Sequence, residues 1–204
     1  MLSISPTRRT KPEKTKKMPN NFASALVFVV SSLAQLYLFV LLIRLLLPWL
    51  GADFRNPLAQ GVLKITSPLV VPLRRVIPPI GRIDTATLLV TFAILYATIF
   101  LILSIQQIQA SFAQIAVSAL VYLPLLTLRL YTFLIIVRVV LSWVSTGGYN
   151  PAVAIIYTLT DPVLRPIRRI IPVMGGFDLS PIFAIILVGA LVRVVSGYVP
   201  LPVL

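Results

Sequence analysis

Four long apolar runs set the frame of the chain. Phe22 to Trp49 is interrupted by Gln35 and Arg44, and Thr85 to Ile105 carries no charge. Ile115 to Val144 contains Arg129 and Arg138, and Pro181 to Val199 contains Arg193. About 20 apolar residues carry a helix across the hydrocarbon core, so each run is expected to span once. The third run is long and holds Pro124, which predicts a tilted or kinked helix, or one that begins near that proline. Basic residues before the first run, and Ser31-Ser32-Leu33-Ala34 within it, resemble a secretory signal. Apolar character continues to Trp49, so an uncleaved helix is expected.

The pattern repeats. A shift of 94 residues aligns the two halves without a gap: Tyr37 with Tyr131, Arg44 with Arg138, Trp49 with Trp143, and Asn56-Pro57 with Asn150-Pro151. Thr66, Pro68, Pro72 and Arg74-Arg75 meet Thr160, Pro162, Pro166 and Arg168-Arg169. Pro78, Gly81 and Asp84 meet Pro172, Gly175 and Asp178. About one position in three is identical between Tyr37 and Asp84. Each unit holds two spans, which return the chain to its starting side, so the units are expected to be parallel repeats about an axis along the membrane normal. The expected division is a basic tail over 1–20, a first repeat over 21–105, a linker over 106–115 and a second repeat over 116–200.

Between the spans of each unit lies a loop rich in Pro and Arg. Asn56-Pro57 and Ser67-Pro68 carry helix-start chemistry, as do Asn150-Pro151 and Asp161-Pro162, so each loop is expected to form two short helices. In the last of them Val163, Ile167, Ile170 and Ile171 share one face and Arg165, Arg168 and Arg169 the other. In the first unit Leu69, Leu73, Val76 and Ile77 stand against Arg74 and Arg75. Pro72 and Pro166 should bend or break these helices. The expected geometry is interfacial, apolar side to lipid and Arg side to phosphates. These arginines either fix topology or bind anionic headgroups or an acidic partner.

The arginines inside the spans carry further expectations. Arg44 and Arg138 either snorkel beside Trp49 and Trp143 or form buried ion pairs, Arg44 with Asp84 and Arg138 with Asp178. Gln35 and Arg129 occupy matching positions deeper in the bilayer. An intramembrane arginine is costly unless solvated or paired, so Arg129 and Arg193 are candidates for a polar path between the units; anchoring near Pro124 is the plainer role for Arg129. Small residues such as Ala97, Ser104, Gly189 and Ala190 permit close helix contacts.

Composition agrees with a chain dissolved in lipid: 204 residues, 58% hydrophobic and 11% charged, with a mean hydropathy of +1.00. It excludes a disordered protein and most soluble enzymes. The chain has no Cys and no His, which removes thiol nucleophiles, Ser-His-Asp triads and histidine-held zinc or haem. The five acids, Glu13, Asp53, Asp84, Asp161 and Asp178, are far apart in sequence. No catalytic constellation, metal site or cofactor is expected. Of the 18 Lys and Arg residues behind the net charge of +13, six lie in the first 17 positions. That segment is expected to be disordered. No aromatic or Gly-rich recognition pattern accompanies the charge, so nucleic acid is not an expected partner.

An apolar helix ending in Arg and Trp, then Asn-Pro, then Thr160-Asp161-Pro162-Val163-Leu164-Arg165-Pro166-Ile167-Arg168-Arg169, then Gly175-Gly176-Phe177-Asp178-Leu179-Ser180-Pro181, resembles the YggT family of bacterial inner-membrane proteins, with chloroplast relatives. The resemblance covers both halves, from Phe22 to Val199. The first unit departs from it at Ser67, Val71 and Thr87, where the second has Asp161, Arg165 and Pro181. It implies an all-α, polytopic, non-enzymatic membrane protein linked to osmotic tolerance or cell division, or in chloroplasts to cytochrome assembly and nucleoid distribution.

The loops over 51–84 and 145–180 hold eight bases and the linker Gln106 to Gln114 none, which places both loops in the cytoplasm. The six bases of the tail oppose this orientation. Translation from Met18 would remove the conflict, and an intact mass that included Met1 to Lys17 would refute that start. A membrane scaffold or assembly factor is the leading expectation, working with anionic lipid, a membrane-protein partner or further copies of itself. A small oligomeric channel or transporter is the alternative.

Overall fold

The computed structural model describes residues 20–144, 150–171, 178–201 and 203–204; the expectations for the basic tail and for Pro172 and Gly175 lie outside these. The described residues form six helices and no strand. They are α1 (Asn20–Trp49), α2 (Pro57–Arg74), α3 (Thr85–Gln106), α4 (Phe112–Val144), α5 (Pro151–Ile170) and α6 (Ser180–Ser196). Three of them, α1, α3 and α4, are long and apolar enough to cross a membrane. The fourth expected span, α6, has 17 residues, about 26 Å of helix and the lower edge of what a bilayer needs.

The expectation of two short helices in each loop is corrected. One helix runs unbroken through Pro68 and Pro72 in α2, and through Pro162 and Pro166 in α5. Of the four expected helix starts in the loops only Asn56 and Asn150 act as caps, their side chains accepting from the N–H groups of Leu58 at 2.9 Å and Ala152 at 2.8 Å. Ser67 and Asp161 sit inside the helix with their side chains engaged elsewhere, as described below. α4 likewise starts at Phe112, well before Pro124, and continues through it.

The repeats pack as parallel units about a common axis. Phe39 of α1 and Phe133 of α4, equivalent positions, stack with ring centroids 6.4 Å apart. Near the same axis Asn56 donates its side-chain amide to the Pro151 carbonyl at 2.8 Å, tying α2 to α5. Each unit also has its own small core at matching positions: Leu41, Val70 and Val90 in the first, Ile135, Leu164 and Ala184 in the second. A larger cluster joins the units, with Leu38 and Leu42 of α1, Leu95 and Ile99 of α3, and Leu126 and Leu130 of α4. Asn56→Ala, which removes both a cap and this link, is expected to lower stability by about 1–2 kcal/mol. Asn150→Ala, a cap alone, should cost less in the same unfolding measurement.

The turn between the repeats is built locally. Gln107 takes a left-handed conformation (φ 57°) and ends α3, and Ile108 donates to the Leu103 carbonyl at 2.9 Å. Ser111 and Gln114 then form a reciprocal capping box, Ser111 N–H to Gln114 Oε1 at 2.9 Å and Gln114 N–H to Ser111 Oγ at 3.2 Å. Beyond α6 the chain folds back onto α4. The Tyr122 hydroxyl donates to the Leu201 carbonyl at 3.1 Å and accepts from the N–H groups of Val203 at 2.8 Å and Leu204 at 3.0 Å.

Candidate functional site

Arg44 and Arg138 are 3% and 4% exposed, and each pins a loop helix to a spanning helix. Arg44 Nη1 donates to Thr66 Oγ1 at 2.7 Å and to the Leu63 carbonyl at 3.2 Å. Arg138 Nη1 donates to Thr160 Oγ1, also at 2.7 Å. Each threonine hydroxyl passes its own proton to the preceding turn, Thr66 to the Val62 carbonyl and Thr160 to the Ile156 carbonyl, both at 2.6 Å. A hydroxyl that donates to its own helix and accepts from a guanidinium uses its single proton and one of its acceptor sites. The Arg–Thr link recurs at matching positions in both repeats. The sequence alignment already paired these threonines, and that pairing was the available signal for them.

The carboxylates are wired differently in the two units. Arg44 Nε stands 3.8 Å from Asp84 Oδ2, the expected pairing, with both side chains buried. The expected pair Arg138–Asp178 is corrected. Arg138 Nη1 instead meets Asp161 Oδ1 at 2.7 Å, and Asp178 Oδ2 takes Nε and Nη2 of Arg168 at 2.9 and 2.6 Å. The cause is one substitution between repeats. Asp161 stands where the first unit has Ser67, one residue from the anchoring threonine, and so reaches Arg138 first. Asp178 is then free for Arg168. Asp161 Oδ2 also takes Arg165 at 3.0 Å, and the Arg138 guanidinium lies 3.8 Å over the Tyr157 ring.

Burial pushes the Asp161 carboxyl up, but the hydrogen bonds and charges of Arg138 and Arg165 outweigh it and hold the group below its ordinary 3.8. Burial raises Asp178 too, and its contacts with Ser180 and Arg168 reverse the shift to a lowered value. A lowered carboxyl stabilises the fold above its unfolded value and loses that contribution as pH falls through its folded value. The melting temperature is therefore expected to stay flat from pH 7 to about 5 and to fall below about 4. Asp161→Asn should flatten the acid limb. An acid limb unchanged in that variant would contradict the assignment.

The remaining basic residues form the exposed border of α2 and α5. Arg74, Arg75, Arg165 and Arg169 are exposed and Arg168 is half-buried. Val76 and Ile170 beside them are 78% and 80% exposed. The apolar face expected to meet lipid is in part corrected. Val163 and Ile167 pack against Ile135, Leu164 and Ala184, and Leu73 packs against Leu41 and Val70, because neighbouring helices offer them a closer apolar surface. Leu69, Val76 and Ile170 do face outward.

Arg129 and Arg193 are placed differently. Arg129 Nη2 reaches the Leu204 carbonyl at 3.5 Å, and Arg193 is exposed in the last turn of α6. Gln35 is half-buried in α1. No group of three or more metal-ligating side chains is present among the described residues.

Two tandem helical units, each pinning a basic loop helix to a long apolar helix through a buried arginine, define an all-α, tandem-repeat membrane protein. The chain belongs to the CCB3/YggT family, which it matches twice, at residues 23–105 and 117–199. It is 39% identical over 165 residues to YggT of Escherichia coli strain K12, covering 80% of this chain and 85% of that one. A Pseudomonas aeruginosa relative is 37% identical over 163 residues, 79% of this chain and 83% of its own. The ycf19 protein of Guillardia theta is 34% identical over 71 residues, which is 34% of this chain but 78% of its own. No solved structure matches the chain significantly.

Proposed function

We propose that the chain is a non-enzymatic, multi-pass scaffold of the bacterial inner membrane, an assembly or stress-tolerance factor that presents α2 and α5 as one basic platform on the cytoplasmic face. One observation carries this reading: the platform helices are fastened from beneath by Arg44 and Arg138, while Arg75, Arg165 and Arg169 stay exposed beside apolar side chains. A fixed basic surface with an apolar border suits anionic headgroups or an acidic stretch of a membrane-protein partner. Each such arginine contributes on the order of 1 kcal/mol near an anionic surface. The count of bases in the loops against the linker supports the orientation. The family resemblance supplies the setting, osmotic tolerance or cell division.

A channel has less support, since leucines fill the space among α1, α3 and α4 and Arg129 leans on a backbone carbonyl. Photo-crosslinkers at Val76 and Ile170 in native membranes test the scaffold. They are expected to trap a discrete membrane protein or anionic lipid, and Arg75→Glu and Arg169→Glu should weaken the product. Ion flux from liposomes that exceeds empty vesicles, and that Arg129→Ala and Arg193→Ala alter, would replace the scaffold with a channel.

A further inference from the structure

The second repeat carries a feature that the scaffold does not use. Arg138 contacts Thr160 and Asp161 through Nη1 alone; among the described residues no hydrogen bond engages its Nε or Nη2. The side chain nevertheless lines a cavity of about 530 Å³, together with Ser142, Tyr157, Arg168, Asp178 and Ile182. Arg168 spends Nε and Nη2 on Asp178 and keeps Nη1. A buried guanidinium with spare donors facing an open cleft is a ready anion site. Of the charged side chains that line the cleft, Arg138 and Arg168 stand against Asp178; Asp178 pairs with Arg168 and Asp161 with Arg138, so the site offers free N–H donors and not a net charge.

A second cavity, of about 560 Å³, lies between the same helices and is apolar, with Leu128, Tyr131, Val163, Leu187 and Leu191 on its wall. On α4 the two cavities share one stripe. Leu128 and Tyr131 precede Ser142 and Arg138 by 14 and 7 residues, whole pairs of helical turns, so they lie on the same face. Seven residues place Tyr131 about 10 Å from Arg138 along the axis. A polar cleft is thus followed, on the same helix face and towards the middle of the span, by an apolar groove.

We infer that the second repeat holds an anionic glycerophospholipid, its phosphate against Arg138 and Arg168 and one acyl chain in the groove lined by Tyr131 and Leu187. The first repeat is not built this way. Arg44 also hydrogen-bonds through Nη1 alone, onto Leu63, Thr66 and Ser67, but among the described residues its Nε is buried without a hydrogen bond, 3.8 Å from Asp84, and Leu63 stands where Tyr157 lines the cleft. The inference rests on membrane embedding and not on the scaffold role, so loss of a partner crosslink leaves it untouched.

The test is native mass spectrometry of the full chain, reconstituted in vesicles of equal phosphatidylglycerol and phosphatidylcholine and released into mild detergent. One phosphatidylglycerol is expected to remain on the wild type. Leu187→Trp and Ile182→Trp, both at exposed positions, should lower the retained fraction about ten-fold while the melting temperature holds. Ala93→Trp, the repeat equivalent of Leu187, should not. Arg168→Gln should remove the preference for phosphatidylglycerol over phosphatidylcholine. Retention that ignores headgroup, or that survives both tryptophans, would mean annular lipid and overturn the inference. Inorganic phosphate that raises the melting temperature as much as phosphatidylglycerol would overturn it in favour of a small-anion pocket.

Discussion

Replacing Arg44 with methionine is expected to lower the unfolding free energy by about 3–5 kcal/mol, the range for breaking a buried pair from one side. Two losses combine. Thr66 loses its guanidinium donor and the Leu63 carbonyl one of its donors, which removes the side-chain hydrogen bonds between α1 and α2. Asp84, 6% exposed, keeps its cap contact with Thr87 but loses the ion pair it makes with Arg44. Adding Asp84→Asn to the variant should restore part of the loss, because it removes the stranded charge. Arg44→Lys should not rescue, since a single ammonium cannot face Thr66 and Asp84 at once. Reversible unfolding in mild detergent measures all three, and a loss under about 1 kcal/mol for Arg44→Met would show that solvent already reaches the site.

Asp161→Ser, which copies Ser67 into the second repeat, is expected to cost about 2–3 kcal/mol. Arg138 then keeps Thr160 and the Tyr157 face and has to find its charge partner in Asp178, as Arg44 does in Asp84. Arg168 is released in exchange. A double-mutant cycle reads the switch. In the parent chain Arg138→Met and Asp178→Asn should be close to additive, because Asp178 serves Arg168. In the Asp161→Ser background the same two changes should couple. Coupling in the parent, or additivity in both backgrounds, would show that the position of Asp161 does not set the wiring.

Much of this fold was legible in the hydrophobic runs and the 94-residue shift, because spans and repeats are written in patterns longer than any local ambiguity. The all-α class, the tandem units and the Arg44–Asp84 contact followed from them. What misled was proline. Pro68, Pro72, Pro162 and Pro166 read locally as helix starts or breaks, yet tertiary anchoring through Thr66 and Thr160 carries α2 and α5 through them. The Arg138 pairing was missed for a different reason. Sequence symmetry favoured the partner equivalent to Asp84, whereas the one position where symmetry fails, Ser67 against Asp161, decides the geometry. The capping box at Ser111 and Gln114 is written as a Ser-x-x-Gln spacing ahead of an apolar run, inside the stretch 106–115 expected to be a linker.

That short turn has a thermodynamic meaning. Gln107 to Ser111 makes the meeting of the two repeats an intramolecular event, with an effective concentration on the order of millimolar or above. One side-chain hydrogen bond, one aromatic stack and a patch of leucines then suffice to keep them together. A chain holding a single such unit has no leash, and must draw the same association from surface contacts alone, at whatever density it reaches in its bilayer.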